Sequence, residues 1–247
     1  MTDLDTIATD LREADPLRFG ASLAAPPAAR GRLWVLYALH HELARIPFSV
    51  SEPMLGQIRL RWWAEQLTAL GAGRPATGHP VLEALAAEWG TEAGQLAALP
   101  EGHARWCDGP PFTDVGDALA MIDATHGALM QAAVSVLAPG VETVAALQGR
   151  GAGVVALLRG WPALVGGGWF ADSPVPELAQ AGRAAFAQAR ARRGAVPKAA
   201  APALYSGEGL AALLDAAEND PAALPEVSEF RRRAGLARLA LTGRWWV

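Results

Sequence analysis

Residues 32–63 read RLWVLYALHHELARIPFSVSEPMLGQIRLRWW, and this stretch decides the fold as two helices meeting at a corner. Leu36, Leu39, Leu43 and Ile46 recur at helical spacing and predict an amphipathic first helix with a buried stripe. Pro47 has no amide proton and its ring would collide with the Leu43 carbonyl, so this helix is expected to stop or kink near Ile46. Ser51-Glu52-Pro53 predicts a second helix, with an acceptor side chain at its cap and a proline in its first turn. Along it, Leu55, Ile58 and Trp62 form one stripe and Leu60, Trp63 and Leu67 another. An apolar arc that wide predicts burial against more than one neighbour.

The rest of the chain is consistent with one all-helical domain spanning 1–247. Alanine and leucine dominate, and no run of alternating β-branched residues is long enough for a sheet. Helices are expected over Leu17–Ala24, Glu92–Cys107, Thr113–Leu137, Val141–Trp161, Pro176–Arg193, Gly209–Ala217 and Val227–Gly243, with another opening at His79-Pro80. Three glycines at alternate positions, Gly149, Gly151 and Gly153, fall inside the fourth of these. Each costs about 1 kcal/mol relative to alanine, so close packing or a local break is expected there.

Charge and composition exclude some function classes. The 21 basic and 25 acidic residues leave a net charge of −4, which argues against a general nucleic-acid binder. Cys107 is the single cysteine, so no intrachain disulfide forms and a reducing compartment is expected. The start, MTDLDTIATDLREADP, is acidic and lacks the pattern of a signal peptide, and the apolar region Gly151–Phe170 is broken by Arg159, Pro162 and a glycine triplet. A cytoplasmic location is the expectation.

Tyr37-Ala38-Leu39 and Arg61-Trp62-Trp63 bracket a segment that resembles the squalene/phytoene synthase family, whose members read roughly Tyr-Ala-Phe-x-Arg-x-x-Asp-Asp-x-x-Asp on the first helix and Trp-Arg on the second. Arg18-Phe19-x-Ala21-Ser22-Leu23-x-x-Pro26 is similar to the way the family enters its first long helix. The resemblance implies an isoprenoid-synthase-like helical bundle with a central cavity. It also implies the condensation of two isoprenoid diphosphates, in which paired aspartate clusters hold magnesium against the departing diphosphate. Aligning Tyr37 with the family tyrosine puts Ala44, Arg45 and Phe48 at the acidic positions and His41 at the basic one. The second cluster comes after a Gly-Arg-Ala segment, here Gly149-Arg150-Gly151. Arg159 is retained there, while Gly160 and Leu164 stand at the carboxylate positions.

Residues Glu42-Leu43-Ala44-Arg45-Ile46, Ser49-Val50-Ser51-Glu52-Pro53 and Gly56-x-x-Arg59 resemble instead the branch that includes a mitochondrial assembly factor for respiratory complex I and its bacterial relatives. This second resemblance implies a non-catalytic protein with no metal and no catalytic residue. Its partners would be complex I subunits or assembly proteins, and its cavity would be filled by Phe48 and nearby apolar groups. The alternative is a working prenyltransferase, with magnesium or with Arg45, Arg59 and Arg159 holding diphosphate. A further one is a carrier or sensor of an isoprenoid lipid. Tyr37, Glu42, Arg45, Glu52, Arg59, Trp63 and Arg159 are the candidate ligand or partner contacts. The structural alternative for Glu42, Glu52 and Arg59 is a buried or half-buried ion pair pinning the two helices.

Other residues invite weaker readings. His40-His41-Glu42 cannot converge on one ion, because adjacent helical positions point about 100° apart. His103 and Cys107 at i, i+4 beside Asp108 have zinc-type spacing without a second pair. Asp123 and His126 share a helix face, as a structural hydrogen bond would require. Gly149-x-Gly151-x-Gly153 with Asp172 has dinucleotide-loop spacing but no preceding strand. Finally, Arg231, Arg232, Arg233, Arg238 and Arg244 crowd the C-terminus before Trp245-Trp246-Val247, with Phe230, Ala234, Ala237 and Leu241 on one stripe. Residues 227–247 therefore read either as a basic amphipathic helix for an anionic membrane surface or as the helix that closes the bundle.

Overall fold

A computed structural model describes residues 4–76, 78–170 and 172–246, so Met1 to Asp3 and Val247 lie outside it. All regular structure among the described residues is helical. The chain forms two compact units, one ending at Asp108 and the other beginning at Gly109, where Gly109-Pro110-Pro111 interrupts the helical pattern.

The first unit contains α1 (Leu4–Ala14), α2 (Pro16–Ser22), α3 (Pro27–Arg45), α4 (Pro53–Gly71) and α5 (Pro80–Trp89), then two single turns, α6 (Leu99–Gly102) and α7 (Ala104–Cys107). The stripe read on α3 is its core face: Leu36, Leu39 and Leu43 are fully buried and Ile46 nearly so. Each such leucine contributes about 2 kcal/mol of burial. The α-helical pattern ends at Arg45 and tightens into a 3₁₀ turn, Ile46–Phe48, in which the Ile46 N–H donates to the Leu43 carbonyl. That is the expected consequence of a proline one residue on.

Three expectations for this unit need correction. Glu52 is the residue before α4 but makes no side-chain cap bond. Only one stripe of α4 is buried, that of Leu60, Trp63 and Leu67, whereas Leu55, Ile58 and Trp62 are exposed. The single helix expected over Glu92–Cys107 is a 3₁₀ segment, Gly90–Leu96, followed by the two short turns. The backbone of that 3₁₀ segment touches α4, since a Cβ on Gly71 would lie 2.9 Å from the Gly94 Cα. Two facing glycines permit this contact.

His103, Cys107 and Asp108 do not converge on an ion. Cys107 is buried with its Sγ where a Cβ on Gly56 would be, at 2.7 Å, and Asp108 accepts from Gln57. His103 is 4% exposed, its ring lies 5.4 Å from that of His40, and its Nδ1 has no hydrogen-bond partner among the described residues. Burial pushes its pKa down to about 4, so the folded chain keeps the ring neutral. The unfolded chain takes up a proton near 6.5. Stability contributed by the neutral ring is therefore complete above about pH 6.5 and is lost as pH falls toward 4, by up to about 3 kcal/mol. Replacing His103 by Phe is expected to flatten this part of the stability profile in denaturant titrations at successive pH values. An unchanged acid slope would show that the ring does not titrate in the unfolding transition.

The second unit contains α8 (Val115–Ile122), a π-helical turn (Asp123–Gly127), α9 (Ala128–Leu137), α10 (Glu142–Arg159), α11 (Trp161–Gly166), α12 (Val175–Ala191), α13 (Ala201–Leu204), α14 (Leu210–Asn219) and α15 (Glu229–Thr242). Its centre is α10, which packs on α9, α12 and the π turn. The three glycines serve close packing, and α10 stays unbroken through them. A Cβ on Gly149 would lie 2.6 Å from the His126 carbonyl oxygen and 2.8 Å from the Gly127 Cα, and one on Gly151 would lie 2.6 Å from the Phe186 ring. No strand precedes them, which removes the dinucleotide reading. Asp123 accepts from Arg150 on α10 at 2.8 Å, and His126 lies 3.2 Å from the Thr125 hydroxyl.

Candidate functional site

The corner between α3 and α4 opens into a cleft of 590 Å³ within the first unit. Its walls come from three elements. The end of α3 and its 3₁₀ turn supply Glu42, Arg45, Ile46 and Ser49; α4 supplies Ile58, Arg59, Trp62 and Trp63; and the start of α5 supplies His79. Three prolines set this geometry locally. Pro47 ends α3, Pro53 restarts the chain as α4, and His79-Pro80 opens α5 against it.

The floor is aromatic. Trp63 is 4% exposed and meets Trp62 edge-on at 5.2 Å and His79 edge-on at 4.7 Å. His79 also caps α5, its Nδ1 accepting the Val81 N–H at 3.3 Å. That bond fixes the tautomer of the neutral ring, leaving Nε2 to carry the proton as a donor.

The rim is charged. Glu42 and Arg45 lie 4.0 Å apart on the same helix, a loose i, i+3 pair worth a few tenths of a kcal/mol. Arg59 is exposed and makes no ion pair with another described residue. The ion pair expected to pin the two helices through Glu42, Glu52 and Arg59 is therefore not formed. Two guanidiniums and one carboxylate over apolar side chains suit a ligand with an anionic head and a hydrocarbon body. On the other side of Glu42 and Arg45, a second cleft of 390 Å³ is lined by His41 and by Asp10 and Glu13 of α1. Its two added carboxylates make it the poorer anion site.

Of the candidate contacts, the structure brings Glu42, Arg45, Arg59 and Trp63 together. Glu52 is exposed and outside the cleft. Tyr37 is buried, with the Arg18 guanidinium 5.7 Å from its ring centre, and burial raises its pKa. Arg159 is exposed at the end of α10, in the second unit. Sequence reasoning did not single out His79, whose signal was the His79-Pro80 helix start, nor Ile58 and Trp62 as cleft walls.

Of the positions that the resemblance aligns with the family's carboxylates, Arg45 lines the cleft and the others lie elsewhere. Ala44 is half-buried, and Leu164 is buried in α11, one turn after Gly160 caps α10. Phe48 does not fill a cavity as expected. It is 66% exposed, with its ring 5.5 Å from that of Trp106. Ala44, Phe48, Gly160 and Leu164 offer no oxygen ligand, and among the described residues no three His, Cys, Asp or Glu side chains are placed to hold one ion. This donor set does not suit magnesium.

No curated protein sequence matches the chain. A crystal structure of a dehydrosqualene synthase in complex with ligand is similar in fold, with a TM-score of 0.73 and 14% identity, over 96% of this chain and 94% of that one. The all-α isoprenoid-synthase-like bundle is thereby shown. The squalene/phytoene synthase family model matches residues 11–163, which include α3, α4, the cleft and α10. The chain belongs to the squalene/phytoene synthase family.

Proposed function

We propose that this chain is a non-catalytic member of its family that binds an isoprenoid-type ligand with an anionic head in the α3–α4 cleft. The observation that carries the reading is a substitution of chemistry. Arg45 and Arg59 edge a tryptophan-lined cleft, while Ala44, Phe48, Gly160 and Leu164 occupy the carboxylate positions. Arginine can hold a diphosphate bidentately. Binding alone, however, leaves the barrier to ionisation unchanged unless the departing charge is stabilised more in the transition state than in the bound state. A role in respiratory complex I assembly, as a binding protein at the cytoplasmic membrane, rests on the sequence resemblance of the helix pair.

The second reading, a prenyltransferase joining two isoprenoid diphosphates, is the one the comparisons favour over an assembly role. The family model bears the synthase name, and the structural likeness is to a ligand-bound dehydrosqualene synthase.

Titration with farnesyl and geranylgeranyl diphosphate, with and without magnesium, followed by calorimetry and product extraction, separates the readings. Metal-independent binding without product is the expected result. Magnesium-dependent binding with a condensed product would overturn the non-catalytic reading and establish the second. Absence of binding would remove the ligand and leave the assembly role, to be tested by co-purification with complex I subunits.

A further inference from the structure

The C-terminal helix α15 is held by a narrow face. Gly235 sits against Tyr205 and Glu208, Arg238 donates to both Glu208 oxygens at 2.6 Å, and Leu239 is buried. Past the helix, Gly243 turns the chain in a left-handed conformation against Lys198, and Trp245 is buried. Trp246 stands between Arg193 and Arg244, whose guanidiniums lie 5.9 and 5.7 Å from its ring centre. The two tryptophans therefore anchor the helix end, and Trp245 is unavailable to any external surface.

What α15 leaves outside is the apolar stripe read from the sequence. Phe230 is 80% and Leu241 78% exposed, and Ala234 and Ala237 between them are exposed as well. These four lie within about 60° of one another around the helix. A helix that only closed a bundle would turn this stripe inward. Here it faces outward for the length of the helix.

Basic groups border the stripe at both ends. Arg231 and Arg233 flank Phe230, while Lys198, Arg193 and Arg244 surround the end near Leu241, with Lys198 Nζ donating to the Leu241 carbonyl at 3.0 Å. Beyond Glu229 the chain contains no acid through Trp246. Glu229 pairs with Arg232 and Arg233 and Glu208 with Arg238, which leaves Arg231, Arg244, Arg193 and Lys198 as the border cations without a carboxylate partner among the described residues. No described helix is long and apolar enough to cross a membrane.

From this complementarity of an outward apolar stripe and an uncompensated basic border, we propose that α15 docks this protein on the surface of an anionic lipid bilayer, with Phe230 and Leu241 entering the acyl boundary. The helix lies in the interface plane. Its arginines reach the headgroups by extending along the stripe's edges. The inference is independent of what the α3–α4 cleft binds.

Flotation with phosphatidylcholine vesicles, and with vesicles also containing phosphatidylglycerol, tests it. Binding is expected only with the anionic lipid and should weaken as salt is raised. The double variant Phe230→Asp/Leu241→Asp should bind at least about 100-fold more weakly, with an unchanged circular dichroism spectrum and melting curve, because both side chains are already in water. Neutralising Arg231 and Arg244 together should cost roughly 20-fold on anionic vesicles. Equal binding to both vesicle types, or undiminished binding by the double variant, would overturn the proposal. So would a dimer in light scattering that the double variant dissociates, since the stripe would then belong to a second copy of the chain.

Discussion

Gly149→Ala is expected to lower the melting temperature by roughly 10 °C. In an exposed helix the same change would stabilise by about 1 kcal/mol, because alanine is the better helix former. Here the added methyl would meet the His126 carbonyl oxygen at 2.6 Å and the Gly127 Cα at 2.8 Å. Both obstacles are backbone, in a π-helical turn whose Thr125 hydroxyl is bonded to the Met121 carbonyl, so no side-chain rotation relieves the clash. The helices must separate, at about 3 kcal/mol or more. Gly166→Ala is the control: it lies in the last turn of α11, nothing lies within 4 Å of its added Cβ, and the change should be neutral. Thermal melts of the two variants side by side check the expectation. Equal melts would mean that α10 does not approach the π turn this closely.

The second large effect concerns the cleft. Arg45→Ala combined with Arg59→Ala is expected to weaken farnesyl diphosphate binding by at least about 100-fold, since each charge-assisted bond to an anionic head contributes about 1.5–3 kcal/mol. Stability should not change, because both guanidiniums are exposed and Arg45 has only the 4.0 Å contact with Glu42. Arg61 lies on the same helix but is paired with Glu65 and outside the cleft. Arg61→Ala should therefore alter affinity by no more than about twofold. Calorimetry on the three proteins decides the matter: an undiminished affinity in the double variant would move the ligand away from this cleft.

The two effects differ in how much of their basis is legible in the sequence. The demand for close packing at Gly149, Gly151 and Gly153 can be read directly, because glycines inside a helix need a reason. The partner cannot be read: that Gly149 meets a backbone carbonyl while Gly151 meets the Phe186 ring depends on which segments arrive there. The same holds for the cleft. Arg45, Arg59 and Trp63 stand out on the helix pair, but His79 joins them through an edge contact with Trp63 and a cap on α5, from 16 positions further along the chain.

Periodicity identifies which residues are apolar and which of them share a face, and it does so correctly for α3, for the corner at Pro47 and for the stripe on α15. It carries no information about whether a neighbour covers that face. Leu55, Ile58 and Trp62 on α4 and the Phe230–Leu241 stripe on α15 are as apolar as the buried stripes, yet they are exposed. By itself the sequence determined the helical class and the family, because these are properties of local spacing and side-chain chemistry. Only the tertiary structure decided which stripes are covered, which arginines remain unpaired and where a cleft opens, because these depend on distances between segments that no local rule sets.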